Sequence, residues 1–144
     1  MSTTDESPDR LAQADYEALA RFRHALLRFM AFSTSAAQAE GLPPQQHQAL
    51  LAIRGNPGGQ AMTVGLLAER LLIAPHTATE LVGRLVDADL VERTTDPEDR
   101  RRHVLSLTAK AEGVLRSLSL VHLREIREIA PVLVDALKAL VERP

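Results

Sequence analysis

Apolar residues recur at helical spacing over most of this chain and at strand spacing only in a short stretch past its middle. From about Leu11 the pattern is helical: Leu19, Phe22, Leu26, Phe29 and Ser33 follow a three-four spacing, and Leu27, Met30 and Phe32 widen the stripe beyond one face. A helix this apolar needs more than one neighbour, either within a monomer core or on a second copy of the chain. Gly41 and Pro43 end it. Pro43 or Pro44 then opens a second helix, Gln45 to Arg54, with Leu50, Leu51 and Ile53 apolar and Gly55 available to close it. Gly55-Asn56-Pro57-Gly58-Gly59 is a break, and Ala61-Met62 is expected to form a short strand.

The stretch from Thr63 to Thr108 is the most informative. Thr63 is placed to cap a short amphipathic helix through Leu71, and a tight connection, Leu72-Ile73-Ala74, follows. Pro75 suits a first helical position and opens a second helix to Val86, with Ala78, Leu81, Val82 and Leu85 on one apolar face. Two short helices joined this way predict a helix-turn-helix. Leu90–Thr94 and Val104–Thr108 then read as two strands of a hairpin, Val104, Ser106 and Thr108 alternating with Leu105 and Leu107. Asp96 and Pro97 start the turn between them, and a basic run reaches His103. Thr108 is the candidate cap of a long last helix carrying Leu115, Leu118, Val121, His122, Ile126 and Ile129. Pro131 predicts a kink or break there, with a final short helix from Val132 to Val141.

The fold class expected is mainly α with a small β wing: a winged helix-turn-helix flanked by N- and C-terminal helices. The spacing Asp99-x-Arg101-x-x-x-Leu105-x-Leu107-Thr108, preceded by Leu90-Val91-Glu92-Arg93 and by Asp96-Pro97-x-Asp99-Arg100-Arg101, resembles the signature of the MarR-type transcription regulators. The resemblance implies a homodimer that binds a pseudo-palindromic operator in double-stranded DNA. It also implies a second helix of each helix-turn-helix in the major groove, a wing at the minor groove, and release, in many members, by a small and often aromatic effector. It divides the chain into a disordered tail over residues 1–10 and one regulator domain over 11–144. Within that domain, 11–41 and 109–144 are dimerisation helices and 43–108 the DNA-binding part.

Composition narrows the reading. The 144 residues suit one domain, and the net charge of −2 means that a nucleic-acid surface must come from local clustering. With 3% aromatic residues and no Trp, base-stacking platforms are poorly provided for, and duplex binding fits better. The chain has no Cys, which excludes disulfides, thiolate zinc sites and thiol redox sensing. The first ten residues lack the basic start and apolar core of a signal peptide, and no apolar run is long enough to span a bilayer, so the expected location is the cytoplasm, away from membranes.

With Ala78, Leu81, Val82 and Leu85 turned inward, the helix opened by Pro75 directs His76, Thr77, Glu80 and Arg84 outward. These residues suit base edges and phosphates, although such a row also fits an ordinary solvated face. Glu80 would be repelled by phosphate unless it accepts from a cytosine amino group; an i, i+4 pair with Arg84 is the preferred role. Ala74 stands where family members commonly carry a capping hydroxyl. In the wing, Asp99 and Arg101 project to the same side if the segment is extended, so that Asp99 can orient the guanidinium. The resemblance assigns Arg101 to the minor groove, Arg100 and Arg102 to phosphates, and Asp99 to positioning; charge composition alone fits a solvated turn equally well.

His24, His47 and His122 are the candidates for lining an effector pocket between two lobes. No cofactor and no resident metal are expected, since the histidines form no tight pairs and zinc would need spatial assembly with carboxylates such as Glu40 or Glu125. No nucleophile motif or phosphate-cradling loop supports an enzyme. The alternatives kept open are a metal-responsive regulator and a winged helix used only for protein contacts.

Overall fold

The computed structural model describes residues 9–142. Of the expected tail, only Asp9 and Arg10 fall among them. Helix α1 spans Gln13–Ala39, α2 Pro44–Arg54, α3 Val64–Leu71, α4 Pro75–Asp87 and α5 Ala109–Val141; strands β1, Val91–Thr95, and β2, His103–Leu107, pair antiparallel. The architecture is mainly helical with one small wing.

Local chemistry sets most of these boundaries. Asp15, in the first turn of α1, accepts from the Ala12 amide at 2.8 Å, satisfying a donor that the helix leaves over. Gly41, at φ 71°, ends α1 in a left-handed turn in which the Leu42 amide reaches Ala37 O at 2.9 Å and the Gly41 amide reaches Gln38 O at 2.9 Å. The same pair of bonds closes α3, through Ile73 to Ala68 O and Leu72 to Glu69 O, and α4, through Leu90 to Leu85 O and Asp89 to Val86 O. Thr63 caps α3, its hydroxyl accepting from the Leu66 amide at 3.2 Å. Thr108 caps α5, accepting from the Ala111 amide at 3.1 Å while its hydroxyl donates to Asp89 O at 2.7 Å. One side chain thus joins the end of α4 to the start of α5.

The described residues separate into two compact units, one of Ser33–His122 and one of residues 9–32 together with 123–142. In the first, Leu50, Leu67, Leu81, Val82, Leu85, Leu105, Leu115 and Leu118 form one buried cluster. Each fully buried leucine contributes roughly 2 kcal/mol. The register places Val91 opposite Leu107 and Arg93 opposite Leu105. In the second unit, the buried residues on α1 and the end of α5 are small, Ala18, Ala25 and Ala136, whereas Leu19, Leu26, Leu27, Met30, Ile126, Val134 and Leu137 are exposed. The wide stripe of α1 therefore extends beyond what its own chain covers.

Two expectations are corrected. Pro131 does not break the last helix: α5 runs without interruption from Ala109 to Val141. Proline costs one amide bond to the carbonyl four residues back, but Ile129, Leu133 and Ala136 on either side keep their packing only if the helix continues. Ala61-Met62 is not a strand. Met62 accepts a single bond from the Leu105 amide, at 2.8 Å, and one bond does not make a ladder. The hairpin strands also sit one residue away from their expected ends. No helix among the described residues is long and apolar enough to cross a membrane.

Candidate nucleic-acid interface

On α4, Ala78, Leu81, Val82 and Leu85 are buried, and the opposite face is open. Pro75, His76, Glu80 and Arg84 are exposed and Thr77 is half-buried. Thr79, not among the sequence candidates, is exposed as well, and its hydroxyl donates to Pro75 O at 3.1 Å. The helical arithmetic already held this signal: residue 79 lies as near to the outward direction as residue 77. The preferred Glu80–Arg84 pair is not formed; neither side chain makes a salt bridge. Both carry their charge on the open face. Ala74 provides no side-chain cap, as its chemistry requires.

A further basic group is brought to this helix from the hairpin. A Cβ built on Gly83 would lie 4.0 Å from the Arg93 guanidinium, an ordinary contact distance, so an arginine from β1 lies against α4 at this point. The sequence motif contains Arg93, but its place beside α4 depends on strand register.

The wing is organised by Asp96. Its backbone amide donates to Arg102 O at 2.9 Å. Its carboxylate accepts from the Glu98 amide at 2.9 Å and from Arg102 Nε and Nη2 at 3.0 and 2.7 Å. The Glu98 amide and the Arg102 guanidinium hold the carboxyl below the usual carboxylate range, and the carboxylate in turn raises the already high pKa of Arg102. Asp96 itself is buried.

Two role assignments change accordingly. Arg102 is tied to Asp96 through Nε and Nη2 while its side chain stays half-exposed, so any phosphate contact would be shared with that pair. Asp99 does not orient the Arg101 guanidinium; its carboxylate accepts from the Arg101 backbone amide at 3.0 Å, and its carbonyl accepts from the Arg102 amide at 3.0 Å. The physical reason is that residues 100–101 form a turn, so the same-side geometry of an extended segment does not apply. Asp99 therefore shapes the backbone, and Arg100 and Arg101 stand exposed at the tip without a carboxylate partner.

The three candidate histidines do not form one site. His47 and His122 lie together in the Ser33–His122 unit, ring centroids 4.8 Å apart. His122 Nδ1 lies 2.6 Å from Leu118 O, which can only accept, so this nitrogen carries the proton; Nε2 lies 2.8 Å from Ser33 Oγ. His47 is buried, its Nδ1 has no hydrogen-bond partner, and burial, followed by the charge of His122, lowers its pKa. His24 belongs to the other unit, where it lines a cleft of about 350 Å³ with Arg28, Glu125 and Glu128. Among the described residues no three His, Asp or Glu side chains converge as a metal site.

A helix-turn-helix followed at once by a hairpin with a basic tip defines a winged helix-turn-helix protein. Residues 40–102 match the MarR family model. The transcriptional activatory protein BadR of Rhodopseudomonas palustris is 33% identical over 86 residues, which cover 60% of this chain and 49% of BadR; the chain thus spans about half the length of that relative. The crystal structure of AbsC, a MarR family transcriptional regulator from Streptomyces coelicolor, superposes with a TM-score of 0.68 at 19% identity, over 88% of this chain and 82% of AbsC. The S. aureus MepR–DNA complex superposes with a TM-score of 0.65 at 17% identity, over 81% of this chain and 82% of MepR. Over residues 40–102 the chain is similar to the MarR family, and its fold is that of MarR family structures. Its relatives are regulators of transcription and not enzymes.

Proposed function

We propose that the chain works in the cytoplasm as a homodimeric, sequence-specific regulator on double-stranded DNA. The observation that carries this reading is the juxtaposition in one unit of an α4 face bearing His76, Thr79, Glu80 and Arg84 with a wing tip whose Arg100 and Arg101 lack carboxylate partners. Pro75, His76 and Thr77, at the start of α4, are placed for base edges in the major groove; Arg84 and Arg93 suit phosphates, and Arg101 the minor groove. That a MepR of the same fold has been crystallised on DNA supports the assignment.

Dimerisation is assigned to α1 and α5. Their exposed leucines and isoleucines flank a groove lined by Leu26, Phe29, Ile126, Ile129, Leu133 and Leu137 without polar surface, and a second copy would remove it from water. Two copies about a twofold axis read a pseudo-palindrome. A small organic effector that prefers a dimer with the wrong separation of its two α4 helices would shift the population off DNA. The direction proposed is repression; likeness to BadR, named as an activatory protein, favours activation as the second reading.

The test is titration of the purified protein against duplexes it selects from a random pool, at several salt concentrations, beside Arg101→Ala. Specific binding at a stoichiometry of two chains per site, with a log–log salt slope reduced by about one in the variant, is the expected result. Absence of any sequence preference at low salt, with Arg101→Ala indistinguishable, would leave the winged unit to protein contacts. A promoter–reporter pair then decides the sign of regulation.

A further inference from the structure

We propose that Leu72 reads sequence, as an apolar probe that meets a thymine C5-methyl group at the edge of the groove entered by α4. The inference rests on the DNA-binding reading above. Leu72 is 92% exposed, more than any other large apolar side chain among the described residues. Its neighbours behave differently: Leu71 and Ile73 pack against the core, and Leu72 does not. The residue has no part in folding that would account for its being a leucine.

Its backbone makes the choice costlier. Leu72 sits at φ 56°, ψ 44°, the left-handed region that β-carbon-bearing residues avoid. Among the described residues three helix ends close with the same hydrogen-bond pattern. The first uses Gly41, for which the conformation is free, and the third uses Asp89, a residue type that tolerates it. Only α3 uses an aliphatic side chain. Exposure and conformation both disfavour leucine here, and strain that nothing in the fold requires is a mark of a functional position.

The location says what the probe would touch. Leu72 lies in the turn between α3 and α4, three residues before Pro75, and it borders a shallow concavity with Thr63, Leu66, Glu69, Ile73 and Pro75. The amides of Leu72 and Ile73 are tied to Glu69 O and Ala68 O, so the side chain is presented from a fixed backbone. In the major groove the apolar group offered by the base pairs is the thymine methyl.

The experiment uses the full chain and a duplex it has selected from a random pool, with Leu72→Gly, Leu72→Asn, Leu72→Met and Arg101→Ala. Gly and Asn relieve the backbone and remove the probe, so both are expected to keep or raise the melting temperature while lowering affinity about tenfold, the loss of a partly buried leucine contact. Their salt slope stays that of the parent, since no phosphate contact is lost. Met keeps most of the affinity. Replacing the contacted thymine with uracil weakens the parent similarly and has no further effect on Leu72→Gly. If Gly and Asn bind as the parent does while Arg101→Ala loses affinity, the Leu72 inference fails and the DNA reading stands. If Leu72→Gly loses the same factor whether thymine or uracil is present, the contact is not the methyl group and the proposal is overturned. Loss of DNA binding as an activity altogether would overturn both readings.

Discussion

Replacing Thr108 with valine keeps the shape of the side chain and removes the hydroxyl that does two jobs at once. In the native chain the oxygen accepts from the Ala111 amide at 3.1 Å and donates to Asp89 O at 2.7 Å, in a residue that is buried. Loss of an N-cap costs about 1 kcal/mol. Leaving the Asp89 carbonyl without its donor in a partly buried setting adds about 1–2 kcal/mol. A total of about 2–3 kcal/mol corresponds to a fall in melting temperature of roughly 5–10 °C for a chain of this size. Thermal denaturation followed by circular dichroism at one fixed protein concentration measures it, the concentration being held because self-association, as proposed above, would make the melting temperature concentration-dependent. Thr108→Ser keeps both bonds and loses one methyl group, so it should stay within about 1 kcal/mol of the parent. If valine cost less than about 0.5 kcal/mol, or serine cost as much as valine, the hydroxyl would not be the joint between α4 and α5 described above.

Asp96→Asn keeps an acceptor for the Glu98 amide but loses the ionic partner of Arg102, so the wing should loosen and operator affinity should fall although Asp96 is buried; faster amide exchange at Glu98 would report the loosening, and unchanged exchange would refute it. Because the folded Asp96 pKa is depressed, its contribution is present above the usual carboxylate range and is lost as pH falls through the folded value, leaving the wing insensitive to pH between about 5 and 8. For His47 the depressed pKa belongs to a base: the unfolded chain takes up a proton below about pH 6.5 before the folded chain does, so stability should decline as pH falls through that range. Urea denaturation of His47→Gln should show a flatter decline, and an equal slope in both proteins would count against the assignment. Pro131→Ala restores an amide donor within a continuous helix and should stabilise the chain by about 1–3 kcal/mol in the same denaturation assay; a loss of stability would mean that the helix is adapted to the proline.

What could be read from the sequence was what local chemistry decides. Thr63, Pro75 and Thr108 sit at helix starts because a hydroxyl or a pre-set φ favours that position whatever surrounds it, and the buried row of α4 follows from spacing alone. The partner of Arg102 was not legible in this way. Asp96, Glu98 and Asp99 all lie within reach along the chain, and the choice depends on the turn at residues 100–101, which a periodicity argument treats as extended. Arg93 at Gly83 depends on strand register. The left-handed Leu72 is invisible in a pattern that looks for glycine at such positions. Pro131 misled because the propensity of one residue was outweighed by the packing on both sides of it. In α1, spacing named the apolar stripe correctly but could not say that its own chain buries Ala18 and Ala25 and leaves Leu19 and Leu26 open.

The pairing of Asp96 with Arg102 closes residues 96–102 into a ring, joined once through the backbone and once through the side chains. A closed ring has lost most of its conformational freedom before anything approaches it, so a partner at the tip does not have to supply that ordering entropy. It also separates two properties that loops usually mix. The shape depends on the two closing residues, on Pro97, on the bonds made by Asp99 and on the backbone amides of Glu98 and Arg101, whereas the side chains of Glu98, Arg100 and Arg101 are exposed to the outside. The tip can therefore be relettered at those positions, in nature or by design, to change what it grips without changing how firmly it is held.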